Sequence, residues 1–379
     1  MRIPPLTSKT ISALRLPLII GVMFIHNSSA DLPGMDLSEA MNAVTCWGGV
    51  NYIIKMVSGT LAACAVPLFF FFSGYLFFIK TDEFCRKEYY GKIKSRLNSL
   101  LVPYLFWTVF GVSLYGLLAT LPYTKQIFGN GYFEFSWRYI GEQITGLKLV
   151  DGVHIFQMGY HLWFLRDLLL LVILSPLFYL ALHNRRWPIW LMIAVWIFPW
   201  AIPWLRHLEI NTTSFIFFGL GAYSGINNLD FLSSFQKLKA VPIICYPVFV
   251  IIDWLIACNF VDVASVSPLV SIIKALMILL ALPFWCDVVA WLVSHRLIRD
   301  VEWLAAASFF IYLIHIPFIL PQVKKILYHI VNPQTQEALV ALYFGSVFMS
   351  VIVCLLIYKL MQLVCPRLLM FVTGGHSSK

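Results

Sequence analysis

Ten long apolar stretches are the feature that most constrains how this chain can fold. A helix needs about 20 mostly apolar residues to cross the hydrocarbon core of a bilayer, and such stretches recur along the whole sequence. Their predicted limits are 10–29, 56–79, 99–121, 160–182, 187–205, 211–229, 240–260, 267–290, 303–322 and 337–361. The sequence therefore predicts an all-α integral membrane protein, a bundle of about ten transmembrane helices that forms a single domain over residues 1–379.

The composition agrees with a membrane protein and argues against a nucleic-acid-binding one. Apolar residues make up 60% of the 379 positions and charged residues only 12%, which a water-soluble domain of this size would not tolerate. The formal net charge is +9, but the basic residues gather in short segments between apolar stretches. That distribution is typical of the positive-inside rule, so no nucleic-acid partner is expected.

The distribution of lysine and arginine predicts the orientation of the bundle. With the N-terminus inside, seven of the 27 basic residues fall on the outer side, two fall within spans and the remaining 18 fall on the cytoplasmic side. This bias predicts cytoplasmic N- and C-termini. The basic inner segment 80–98 is expected to contact anionic lipid or an anionic soluble ligand. The aromatic outer segment 122–159 is expected to form an interfacial belt or a sugar-stacking surface.

Arg15 and His26 are ionisable residues within the first predicted span, where burial of charge is costly. They are eleven positions apart, which is about three helical turns, so both side chains share one face at a separation of about 16 Å. Each residue alone has a bland explanation, because an arginine can snorkel to the headgroups and a histidine can be a satisfied interfacial residue. Together they predict a face with a fixed cation near the cytosol and an imidazole nearer the outside.

Two further histidines are predicted at the depth of His26. His161 lies at the outer start of the fourth span and His315 in the outer half of the ninth. Histidine is the side chain best able to exchange protons near neutral pH, so the three suggest a site, although any one of them alone is as easily a hydrogen-bonded core residue. Neither the histidines nor the eight cysteines show metal-ligand spacing, so no metal is predicted.

Ser73 and Gly74, in "VPLFFFFSGYLFF", form a small-residue pair inside the second span. Small residues allow two helices to pack closely, and they equally allow a ligand chain to pass beside the backbone. The sequence leaves both explanations open.

Several motifs together resemble the membrane acyltransferase 3 family of bacterial integral membrane O-acyltransferases. They are Arg15 and His26 with ten residues between them, "FFFSGYL", "KSRLNSLLVPYLFW", "HLWFL", "FIFFGLGAYSG" and "FFIYLIHIP". They occur in the family's order over almost the whole chain. The chain is similar to the stand-alone type, without an appended esterase-like domain, and it departs from the family in lacking the paired arginines after the second helix.

The resemblance implies a multi-pass enzyme of the bacterial plasma (inner) membrane. Such an enzyme moves an acyl group, acetyl or another such as succinyl, from cytosolic acyl-CoA to a hydroxyl of a cell-surface glycan or lipid-linked sugar, with acyl-CoA as co-substrate and no bound cofactor. The implied catalytic residues are His26 and Arg15, and His161 and His315 are acceptor-side candidates. The implied donor-binding residues are Arg15, Ser73, Gly74, Arg96 and Trp163.

Two mechanisms remain open from the sequence, together with the possibility of a non-catalytic partner of a glycan synthase and one stronger alternative class of protein. His26 is expected either to take the proton of the acceptor hydroxyl as a general base or to be acylated first. The alternative class is a transporter or flippase of a glycan or glycolipid, which would use charged residues near the midplane. Candidates for that use are Asp167, Asp253 and Lys274.

Overall fold

A computed structural model of the chain describes residues 3–27, 48–79, 84–121, 141–142, 160–198, 211–258, 267–298 and 301–375. The aromatic segment predicted at 122–159 lies almost entirely outside these residues. Within them every regular element is a helix. The all-α prediction is therefore confirmed for the described part of the chain.

The described residues form sixteen α-helices. In chain order they are α1 Pro5–His26, α2 Gly48–Ile54, α3 Ala65–Phe78, α4 Arg86–Arg96, α5 Val102–Thr120, α6 Trp163–Ile173, α7 Ser175–Leu182, α8 Trp187–Ile197, α9 Thr212–Ile226, α10 Phe231–Gln236, α11 Val241–Ala257, α12 Ser267–Ser294, α13 Val301–Ile314, α14 Leu320–Val331, α15 Gln336–Val364 and α16 Pro366–Val372. Many begin with a proline in the first turn, where its missing N–H removes no helical hydrogen bond. Other helices are preceded by Asn211, Asp230 or Thr335. The side chains of these capping residues accept a hydrogen bond from a backbone N–H in the first turn of the helix.

Six described helical segments are long and apolar enough to cross a bilayer. They are Pro5–His26, Gly49–Phe78, Arg86–Leu118, Pro268–Ser294, Glu302–Val331 and Gln336–Val364, and a seventh arises if α6 and α7, bent by 58°, form one span. Helices α8, α9 and α11 lie at three of the other predicted spans but are shorter in the part of the chain that the structure describes. The structure thus shows a multi-span membrane protein, and the count of ten stays a prediction.

Two predicted limits differ from the structure for identifiable reasons. Helix α4 occupies most of the segment predicted as the inner loop, because Arg86–Arg96 contains no proline and Glu88 lies 3.7 Å from Lys92 one turn later. The predicted span 303–322 is broken, since Ile316 has extended dihedral angles (φ −130°, ψ 141°) between α13 and α14. His315 therefore stands at a break in the helical path, not inside a straight helix.

Helix α1 is central to the bundle. It packs against α12, α13 and α3, and its buried positions alternate with a less buried stripe. The residue after it, Asn27, is buried and donates from Nδ2 to Tyr343 O at 2.9 Å and to Ser346 Oγ at 3.1 Å. Ser58 Oγ, 2.6 Å from Phe24 O, adds a further bond. These bonds hold the C-terminal end of α1, where His26 lies.

Helices α3 and α9 make the most extensive contact among the described helices, and their glycines explain it. A Cβ on Gly74 would collide with Phe218 O of α9, and a Cβ on Gly221 would collide with Phe71 O of α3. Close backbone approach at small residues is a common way for helices to associate in membranes. Of the two explanations for Gly74, the structure shows helix packing.

Candidate active site

A cavity of about 460 Å³ lies inside the bundle, walled by α1, α3, α6 and α13. Helix α1 contributes one stripe of side chains at intervals of three or four residues: Ser12, Arg15, Ile19, Val22 and His26. Arg15 and His26 thus line one cavity, as their spacing predicts. Ser12 and His26 are fourteen residues apart, which is about 21 Å along the helix axis.

The cations of the cavity lie at the end away from His26. Arg15 is three helical turns from His26 on α1, and Arg96 lies at the end of α4. Lys92 Nζ donates to Phe77 O, which ties α4 to the end of α3 where Leu76 lines the cavity. Two guanidinium groups from different helices, at the mouth of one cavity, are suited to bind phosphate groups.

The same end is open to solvent. Glu302, in the first turn of α13, is exposed and lines the cavity. It is thirteen positions before His315, so it lies about 20 Å along the helical path from the histidines. The cavity therefore runs from an exposed, charged mouth to a buried imidazole.

Three histidines meet at the inner end of the cavity. The ring centroid of His315 is 5.4 Å from that of His26 and 5.3 Å from that of His161. His161 and His315 are 3% and 0% exposed. The convergence expected from the sequence is present, although His315 lies behind His26 and His161 and does not itself line the cavity. Among the described residues no group of three metal-ligating side chains is arranged to hold an ion.

Backbone hydrogen bonds fix two of the imidazoles. His315 Nδ1 lies 2.7 Å from Tyr312 O and 3.2 Å from Ile311 O. His161 Nε2 lies 3.3 Å from Leu313 O. Because a carbonyl oxygen only accepts, each of these nitrogens carries the proton of its neutral ring.

The remaining predicted donor-side residues divide into two groups. Ser73 and Trp163 line the cavity, on α3 and at the start of α6. Gly74 does not line it, because it faces α9 on the other side of α3.

Sequence reasoning missed several cavity residues on α13. Ala305, Phe309 and Tyr312 line the cavity at helical intervals after Glu302. Tyr312 also donates its hydroxyl to His161 O at 2.7 Å. The motif "FFIYLIHIP" contains two of these residues, and their helical spacing was the available signal.

The charged residues that a transporter would need at the midplane have structural partners. Asp167, which is fully buried, accepts from Ser214 Oγ at 2.8 Å and pairs with Arg166 at 3.0 Å. Asp253 accepts from Thr60 Oγ1 at 2.8 Å. Neither lines the histidine cavity, so these carboxylates hold helices together.

The class of protein follows from comparison with known families. A family model described as an acyltransferase domain (acyltransferase 3) matches residues 9–359, so the chain belongs to this acyltransferase family, and the resemblance predicted from its motifs is confirmed. A cavity that joins Arg15 and Arg96 to His26 lies entirely within the matched residues.

One characterised relative is similar over nearly its full length. It is the succinoglycan biosynthesis protein ExoH of Rhizobium meliloti (strain 1021), which is 24% identical over 391 aligned positions that cover 98% of this chain and 93% of the relative. No solved structure matches the chain. The family match and the apolar helices together indicate an acyltransferase of the membrane.

Proposed function

We propose that this protein transfers an acyl group, acetyl in the simplest case, from cytosolic acyl-CoA to a hydroxyl of a cell-surface glycan or lipid-linked sugar. The observation that carries the proposal is the cavity that runs from Arg15 and Arg96, at the end where the exposed Glu302 lies, to His26 beside the buried His161. An acyl-CoA has the same polarity, with anionic phosphates at one end and a thioester at the end of a long arm. The relative's name, which refers to a polysaccharide, supports a glycan acceptor.

The donor end of the reaction uses the two arginines. Their guanidinium groups bind phosphate oxygens of the donor, since arginine offers several N–H donors in a planar array. The arm then extends along the stripe of α1, past Ile19 and Val22, to the thioester beside His26. Binding at the mouth thus supplies the orientation that the reacting atoms need.

His26 supplies the general base. Its imidazole takes the proton of the acceptor hydroxyl as the oxygen attacks the thioester carbonyl, forming the new C–O bond. The C–S bond then breaks, and the proton passes from His26 to the sulfur of the departing CoA. Ser73 Oγ and the Trp163 ring N–H, which share the cavity, are candidates to stabilise the negative charge on the carbonyl oxygen.

The direct route is proposed as the simpler one, because it needs no acylated His26 intermediate. A positioned general base contributes about 10² to 10⁴ in rate.

The protein works in the inner membrane in this proposal, with ten spans and both termini in the cytoplasm. Alkaline phosphatase fusions after each predicted span test that orientation, since only outer fusions are active.

The test of function compares cells that carry the wild type, His26→Ala and the matched variant His183→Ala, an exposed histidine far from the cavity. Mass spectrometry of surface glycans should show one added acyl group per modified residue in the wild type and His183→Ala and none in His26→Ala. Inverted membrane vesicles given labelled acetyl-CoA should transfer label to glycan with the same pattern. Full modification by His26→Ala at equal membrane levels would overturn the proposal.

A further inference from the structure

His315 is buried beside the candidate base, yet it does not line the cavity. Its Nδ1–H is directed to Tyr312 O and Ile311 O, so its Nε2 carries a lone pair and can only accept a hydrogen bond while the ring is neutral. That Nε2 is buried and has no hydrogen-bond partner among the described residues. A buried acceptor of this kind is costly unless a donor reaches it.

Two imidazoles adjoin this acceptor, and only one of them is suited to donate. His161 directs its N–H to Leu313 O, so its neutral ring has no second N–H for His315. The ring of His26 is at 5.4 Å between centroids, a separation at which nitrogens of the two rings can approach the hydrogen-bond distance of about 3 Å. Such bonds are often long in unliganded enzymes and shorten in the reacting complex.

We infer that His315 is a positioning residue, which accepts a hydrogen bond from the N–H of His26 at Nε2 and so turns the other nitrogen of His26 toward the acceptor hydroxyl. The inference rests on the proposed function, because it assigns His26 the role of base. It gives His315 the part that an acidic residue has in many catalytic triads. The backbone carbonyls of Tyr312 and Ile311 hold the tautomer that this part requires.

The break at Ile316 explains why His315 has this position. The helix ends at Ile314 and the chain turns at Ile316, which is extended. The ring of His315 is thereby held against its own last helical turn, with Nδ1 toward that turn and Nε2 away from it.

Two substitutions separate positioning from packing. Asn in place of His315 keeps an N–H donor near the position of Nδ1, for Tyr312 O, but has no acceptor at the position of Nε2. Gln in its place can present an oxygen near the position of Nε2. Both are measured in membranes with labelled acetyl-CoA as donor and the host's glycan fraction as acceptor, beside wild type, His26→Ala and the exposed-site variant His183→Leu.

The expected result is a fall in kcat of about 10²-fold for His315→Asn, the low end of what a positioned base contributes. The KM for acetyl-CoA and the thermal unfolding temperature should stay those of the wild type, and His315→Gln should recover most of the kcat. Wild-type kcat in His315→Asn, or an equal loss in both variants together with a lowered unfolding temperature, would overturn the inference.

Failure of the proposed function is visible separately. If wild-type membranes transfer no label from acetyl-CoA, or if His26→Ala is fully active, the proposed function fails and the inference fails with it. If His26→Ala is inactive and both His315 variants have wild-type kinetics, only the inference fails.

Discussion

Asn27 donates a hydrogen bond from Nδ2 to Tyr343 O at 2.9 Å. This bond joins the residue that follows the candidate base to the last long helix, across a sequence separation of 316 positions. The position of His26 therefore depends on α15 as well as on its own helix.

Replacement of Asn27 by alanine should lower both stability and activity. It removes two buried hydrogen bonds, to Tyr343 O and to Ser346 Oγ, and each such bond contributes about 0.5–1.5 kcal/mol. Thermal unfolding in detergent should occur at a lower temperature than in the wild type, and kcat should fall because the end of α1 is less well fixed. The exposed variant Gln334→Ala should match the wild type in both measurements, and an unchanged Asn27→Ala protein would show that these bonds do not hold α1.

Alanine at Gly74 or Gly221 should prevent assembly of the α3–α9 pair. The added Cβ collides with Phe218 O in one case and with Phe71 O in the other, and helix backbone cannot move aside cheaply. We expect little or no folded protein in membranes by fluorescence-detected size exclusion. Gly345→Ala is the matched control, because a Cβ at that position meets nothing within 4 Å. Normal folding of Gly221→Ala would contradict the close packing described for α3 and α9.

Loss of either mouth arginine should weaken donor binding more than chemistry. Arg15→Ala and Arg96→Ala each remove a cation that lines the cavity, and a charge-assisted hydrogen bond contributes about 1.5–3 kcal/mol. The KM for acetyl-CoA should rise by at least about tenfold, and added salt should raise it further in the wild type than in the variants. Arg185→Ala, on another basic segment away from the cavity, should bind donor normally. An unchanged KM in both mouth variants would place the donor elsewhere.

Asp167→Ala should destabilise the protein strongly. The carboxylate is fully buried, accepts from Ser214 Oγ and from the backbone N–H of Asn211, and pairs with Arg166. A hydrogen bond to a charged group contributes about 1.5–3 kcal/mol, and the substitution removes several of them at once. The protein level in membranes and the unfolding temperature should both fall. Asp230→Ala is a milder comparison, since that carboxylate caps a short surface helix. A stable Asp167→Ala protein would leave Asp167 available for the role that a transporter requires.

The shared face of Arg15 and His26 was predictable because helical geometry alone fixes it. Eleven positions are close to three full turns in any α-helix, and both side chains do line one cavity. For His161 and His315, the sequence predicts only that both lie at the same depth in the membrane as His26. Their contact depends on how α6 and α13 pack and on the break at Ile316, and neither is determined by local residue types.

Gly74 shows what a single sequence does not distinguish. A residue without a Cβ suits both close helix contact and passage of a ligand, and the choice depends on which face of α3 meets α9. Helix α4 shows a second difficulty, because a run of charged residues is typical of a loop as well as of an exposed helix. The pair between Glu88 and Lys92 decides for the helix, but its contribution is small until the chain is already folded.

Helix α3 has two faces with different contacts, and this difference matters for redesign of the cavity. Gly74 is committed to the backbone of α9, whereas Val66, Phe69 and Ser73 project into the cavity about one turn apart. An engineer who wishes to enlarge or reshape the cavity for bulkier thioesters can therefore exchange Val66 and Phe69 as a pair and keep Ser73, which is proposed to stabilise the carbonyl oxygen. The glycine contacts between α3 and α9 are then unchanged, so the helix pair stays assembled while the selectivity of the cavity is altered.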